Sequence, residues 1–161
     1  MNYPILSSLI LLPVVGAFFI LIFKSGKSIN NLSSKYVALF VSFANFFVSI
    51  YLWIIFDKNT ADFQFVEDRD WLIGLVNYKV GVDGISILFI ILTTLIVPLC
   101  IIYINKNIKV KLEEFLISVL LMESLMIGVF CSLDLVVFYL FFEGGLIPMF
   151  LIIGIWGGSR R

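Results

Sequence analysis

The chain contains no histidine. That removes the commonest metal ligand and the usual catalytic base, so haem, zinc and His-dependent triads are not expected. Its two cysteines, Cys100 and Cys131, form no CxxC pair of the kind that holds an iron–sulfur cluster. There is also no GxGxxG run and no phosphate-cradling loop. Charge is sparse, at 14% of residues, and the 11 basic and 11 acidic side chains cancel. Without a basic stripe interleaved with aromatics, contact with nucleic acid is excluded as a reading. No cofactor or metal site is expected on this chain.

What fills the space is apolar. At 61% hydrophobic residues and a mean hydropathy of +1.12, the chain far exceeds the roughly 45–50% apolar content of soluble domains. This is the composition of an all-α integral membrane protein. Five segments are long enough to cross a hydrocarbon core of about 30 Å, which takes roughly 20 helical residues. They lie near Ile5 to Phe23, Tyr36 to Phe56, Gly84 to Ile104, Leu112 to Cys131 and Leu135 to Ile155. The last two, separated only by Ser132 to Asp134, must form an antiparallel hairpin. Met1 to Ser8 lacks the basic start of a secretory signal, so the first segment reads as a retained helix. The organisation expected is residues 1–111 as helices one to three with an outer loop at 57–80, followed by residues 112–161 as helices four and five.

Basic residues set the orientation. One side collects Lys24, Lys27, Lys35, Lys106, Lys109, Lys111, Arg160 and Arg161, whereas the other has Lys58, Arg69 and Lys79 beside Asp57, Asp62, Glu67, Asp68 and Asp70. Eight against three is a positive-inside signal. The loop from Asp57 to Lys79 therefore faces outward, and the carboxyl end faces the cytoplasm or matrix. Cys100 and Cys131 then fall near opposite faces, too far apart to bridge, and read as small buried apolar residues. Lys79 and Trp71 in the outer loop read as solvated or interfacial.

Against this apolar background two carboxylates stand out, Glu123 and Glu143, each near the middle of a span. A charge at that depth costs about 2.5–3.5 kcal/mol on insertion scales, which points to ion or proton movement. From Asp134 the helical rise puts Glu143 about 13 Å and Glu123 about 16 Å into the membrane. Both are therefore candidate proton-transfer residues, and whether they face one path is left open by spacing alone. For Glu123, nearby Ser124 and Gly128 also fit a helix contact. Asp83 and Asp134 sit at the outer starts of helices three and five, where N-capping is the simpler role. Pro13, Pro98 and Pro148 fall inside apolar runs; the first two read as ordinary kinks. Pro148 follows Glu143, Gly144 and Gly145, so either a loosened backbone beside the acid or close helix packing at the small residues is expected.

Several strings resemble one family. Gly81-Val82-Asp83-Gly84-Ile85-Ser86, Gly128-Val129-Phe130, Leu133-Asp134-Leu135 and Phe138-Tyr139 are similar to the early helices of the antiporter-like subunit 4 family of respiratory complex I, the proton-pumping NADH:ubiquinone oxidoreductase. The most specific run is Phe141 to Met149, with Glu143, Leu146, Ile147 and Pro148, followed by Ile153-Gly154-Ile155-Trp156-Gly157-Gly158. Sister antiporter-like subunits and multi-subunit cation/proton antiporters share the general pattern. The Leu-Ile-Pro-Met and Trp-Gly-Gly strings favour subunit 4.

The resemblance implies a unit of about fourteen helices with two inverted five-helix repeats, the first beginning at helix four. It implies that Glu143 pairs with a lysine on helix seven and controls that lysine's proton affinity. Flavin and iron–sulfur clusters belong to other subunits, as do NADH and quinone. Because Arg161 precedes helix six, the expectation is a split or truncated subunit, a second polypeptide supplying helix six onward. Other membrane-arm subunits and lipids are the further partners. A cation/proton antiporter subunit and a structural membrane fragment are the alternatives. The absence of a presequence and the richness in Phe, Ile, Asn and Lys suggest the mitochondrial inner membrane, or a bacterial inner membrane as the alternative.

Overall fold

The computed structural model describes residues 4–25, 31–70, 77–104 and 111–157. Trp71, Lys27, Lys106, Lys109, Gly158, Arg160 and Arg161 lie outside the described residues, and so does part of the charge asymmetry read from the sequence. The five apolar runs are helices: α1 (Ile5–Ser25), α2 (Asn31–Ile55), α3 (Ser86–Tyr103), α4 (Leu112–Cys131) and α5 (Leu135–Trp156). All five are long and apolar enough to span a membrane. At 18 to 25 residues, their lengths of about 27–38 Å match a bilayer core crossed upright or tilted. This is a multi-pass membrane protein, mostly helical.

Two apolar clusters hold the bundle, one toward each end. Leu6, Leu9, Leu52, Val80, Val82, Ile87, Ile90 and Ile127 form the first. Ala17, Ala38, Val97, Ile101, Phe115, Leu116 and Leu120 belong to the second. Between their levels runs a polar layer of fully buried Ser42, Asn45, Ser49, Thr94, Glu123 and Ser124. Helix α4 threads the centre and touches each of the other four helices. Glycine permits two of the close approaches. A Cβ on Gly16 of α1 would come within 2.7 Å of Val41 on α2, and one on Gly128 of α4 within 2.5 Å of the Phe141 ring on α5.

Each proline-bearing helix runs unbroken, with Pro13, Pro98 and Pro148 all buried. One boundary moves. α2 begins at Asn31 rather than Tyr36, which brings Lys35 out of the basic connection into the helix, where it is buried.

The outer segment is not a plain loop. Gln64–Asp70 and Asn77–Val82 form an antiparallel hairpin, β1 and β2. The β-formers Tyr78, Val80 and Val82 drive the second strand, and Val80 and Val82 are buried in the first apolar cluster. Gln64 pairs with Val82 and Glu67 with Val80, so Phe65 and Val66 together oppose Gly81 in a bulge. Phe65 takes the left-handed conformation there, φ 53°. The α4–α5 turn docks on the free edge of β2: Ser132 bridges Val80, and the Leu133 N–H donates to the Lys79 carbonyl at 2.9 Å.

Candidate functional site: two membrane carboxylates

Glu123 sits in the polar layer, 1% exposed. Asn45 Nδ2 of α2 donates to its Oε1 at 2.8 Å. Its Oε2 and Asn45 Oδ1 are buried and accept no hydrogen bond among the described residues. The next residue, Ser124, donates from Oγ to the Ile10 carbonyl of α1 at 2.6 Å. One turn along α2 from Asn45, Ser49 Oγ lies 2.7 Å from Thr94 Oγ1 of α3. The layer thus ties four helices through side chains in a medium where an unmade hydrogen bond is costly.

Glu143 is placed differently. It is exposed on the outer face of α5, beside Leu140, Leu146, Ile147 and Phe150 of its own helix. Among the described residues no cation or hydrogen-bond donor reaches it. The structure does not bring the two acids together, because α4 and α5 meet through Gly128 on Phe141 and Gly144 on Leu125. Glu123 turns from that contact toward α2, and Glu143 turns away from the bundle. The backbone past Glu143 stays helical through Pro148. Gly144 makes a helix contact, whereas a Cβ on Gly145 would meet nothing within 4 Å.

The aspartates act on helix starts. Asp134 accepts from the N–H groups of Val136 at 2.8 Å and Val137 at 3.2 Å. Asp83 accepts from Ser86 N at 2.7 Å and Ile85 N at 3.2 Å, while its own N–H donates to Ser86 Oγ. These bonds from Ser86 hold the Asp83 carboxyl below the ordinary carboxylate range. Asp68 and Lys79 form an exposed pair at 3.6 Å across the hairpin. Of the cysteines, Cys131 is buried but Cys100 is exposed, a correction to the reading of both as buried. Cys100 lies on the face of α3 that no described helix covers.

Two polar groups were not anticipated. Asn45 was hidden in an apolar run, although Ser42, Asn45 and Ser49 recur at helical spacing and mark one face. In the sequence Glu67 stands only as one of several loop charges. It accepts from Leu6 N at 2.9 Å, Ser7 N at 3.2 Å and Ser7 Oγ, capping α1 from the hairpin. Tyr78 lies beside it, 3.3 Å from Ser7 Oγ, and burial raises its phenol above the ordinary range. No group of three potential metal ligands occurs among the described residues.

No protein-family model matches the chain. Curated relatives do. It is 49% identical over 158 residues to NADH-quinone oxidoreductase subunit M of Rhodobacter capsulatus, covering 98% of this chain and 30% of that protein. It is 43% identical over 160 residues to NADH-ubiquinone oxidoreductase chain 4 of Marchantia polymorpha, covering 99% and 32%. With chain 4 of Arabidopsis thaliana it shares 46% over 157 residues, covering 97% and 31%. The chain therefore spans about a third of the length of the relatives it matches. Along nearly all of its residues, this chain is homologous to a part of the proteins named NADH-quinone oxidoreductase subunit M and NADH-ubiquinone oxidoreductase chain 4.

Proposed function

We propose that residues 1–161 form the first five helices of a proton-translocating membrane-arm subunit of NADH:quinone oxidoreductase. The observation that carries the reading is the match of nearly every residue, at 43–49% identity, to proteins of that name. Helices α1 to α3 with the β1–β2 hairpin form a supporting unit, and α4 and α5 open the first channel repeat. The location that fits five spans and these relatives is an inner membrane, mitochondrial or bacterial. NADH, flavin, iron–sulfur clusters and quinone belong to other subunits, and this chain takes no part in electron transfer.

In this reading Glu143 is the working acid. A carboxylate on a lipid-depth face lined by Leu140, Ile147 and Phe150 needs a compensating group, and the described residues supply none. The group is a lysine from outside residues 1–161, on this or another polypeptide. While the ammonium is close, Glu143 stays ionised; when it withdraws, the desolvated carboxylate takes a proton. Alternation between the two states moves one proton per cycle without any bond to carbon changing.

The test uses the purified assembly that contains this chain, reconstituted in vesicles. Glu143→Gln keeps shape and removes the titratable group. NADH-driven proton uptake is expected to collapse while the subunit composition stays intact. Unchanged uptake would remove Glu143 from the mechanism, and sodium-dependent transport in an assembly without NADH oxidation would replace the respiratory reading with a cation/proton antiporter.

A further inference from the structure

The helix interface at Glu123 is short of one hydrogen. Asn45 Nδ2 donates to Glu123 Oε1, yet the two orphaned acceptors, Glu123 Oε2 and Asn45 Oδ1, belong to this same pair. A carboxyl and a carboxamide facing each other need two hydrogens to close a reciprocal ring of bonds. The amide supplies one, and an ionised carboxylate, being acceptor-only, supplies none. A proton on Oε2 would supply the second, and Asn45 Oδ1 is the orphaned acceptor of the same pair.

Among the described residues no cation pairs with Glu123. Helix α2 carries one charged residue, Lys35, ten positions and about 15 Å along the axis from Asn45. Helix α3 carries none, and the single charged residue of α1, Lys24, falls in its last turn. Strand β2 contributes Lys79, which faces Asp68 at the outer surface, and Tyr78, which faces Ser7. Helix α5 contributes Glu143 and Tyr139, both at exposed positions, and the other titratable groups of α4 are Glu113, Glu114 and Cys131, near its ends. At the level of Glu123 the polar neighbours are neutral: Ser42, Asn45, Ser49, Thr94 and Ser124. A buried acid without a counter-charge sheds its charge rather than carrying it.

We infer that Glu123 is held as the neutral acid in a reciprocal hydrogen-bonded pair with Asn45, making a proton-binding site inside the bundle that is separate from Glu143. Uptake adds one proton to Oε2 and lets the pair close. Release ionises Glu123, breaks the bond to Asn45 Oδ1 and leaves the layer one hydrogen short. The apolar clusters on both sides isolate the site, so exchange is gated by the helix packing.

Infrared difference spectroscopy on the membrane assembly containing the full chain, at neutral pH, tests it. Glu123→Gln is expected to assemble normally, since its amide remakes both bonds to Asn45, and to lose one protonated-carboxyl carbonyl band. Loss of a carboxylate band instead would overturn the inference. Should that variant not assemble, Asn45→Leu decides. Its acid carbonyl band moves to higher frequency if Glu123 is protonated, and an unchanged acid region overturns the proposal. Glu143→Gln is the control, expected to keep the Glu123 band whatever it does to transport, which separates failure of this inference from failure of the Glu143 reading.

Discussion

Helices α4 and α5 are two arms of one hairpin with similar composition and one glutamate each, yet they live in different surroundings. Of the α4 span 56% is buried, against 11% of the α5 span. Glu123 has its counterpart inside the bundle, in Asn45, and Glu143 has none among the described residues. The same residue type at similar depth therefore does two jobs. One acid is locked into a layer that joins helices, and the other is presented on an uncovered face.

The sharpest way to break this contrast is to make both acids neutral in turn. Glu143→Gln should lower NADH-driven proton uptake by roughly tenfold or more, in keeping with loss of a proton-transfer group, while leaving thermal stability of the assembly nearly unchanged. Next in size are changes that spoil the α4 interior. Glu123→Leu leaves Asn45 unpaired and should destabilise by about 1–3 kcal/mol, read as a fall in the midpoint of thermal or denaturant unfolding. Equal tolerance of Leu at 123 and at 143 would erase the distinction.

The glycines sharpen the same point. Gly128→Ala drives a methyl against the Phe141 ring and should cost about 1–3 kcal/mol. Gly145→Ala has open space within the chain and should be neutral or gain up to about 1 kcal/mol from helix propensity, unless an added subunit fills that face. The difference between the two in the same unfolding assay measures how much of the hairpin is sealed by this chain alone.

The smallest effect concerns the outer end. The Asp83 carboxyl is held below its ordinary range when folded, so its contribution to stability is complete above the usual carboxylate pKa and is lost as pH falls through the lowered one. Asp83→Asn should therefore flatten the acid limb of the stability curve by lowering stability slightly at neutral pH, and change little once the pH is below the lowered pKa. An unchanged acid limb in that variant would show that the Ser86 bonds do not favour the charged form.

Helix positions were legible because uninterrupted apolar runs bounded by lysine, aspartate or serine have few other solutions in a membrane. The boundaries of α4 and of the start of α5 follow from Lys111, Ser132 and Asp134. Rotation was not legible. The periodicity around Glu143 is nearly featureless, with Phe, Leu, Ile and Gly on every side, and a helix apolar all round gives no clue to which face is covered. The hairpin was hidden because Glu67, Asp68, Arg69 and Asp70 mask the alternation of β1, and the strand acquires its meaning only when Val80 and Val82 find the ends of α1, α3 and α4. Asn45 could have been suspected from its spacing with Ser42 and Ser49, but its pairing with Glu123 depends on a contact between residues 78 apart.

The cap that Glu67 places on α1 has a consequence for how the molecule is put together. The N–H groups of Leu6 and Ser7 wait for an acceptor made 61 and 60 residues later. The amino end of the first helix is therefore completed by β1, which lies beyond α2 in the chain. The strand edge then receives the turn between the last two helices, so the extramembrane ribbon serves as a clasp that registers early and late spans against each other.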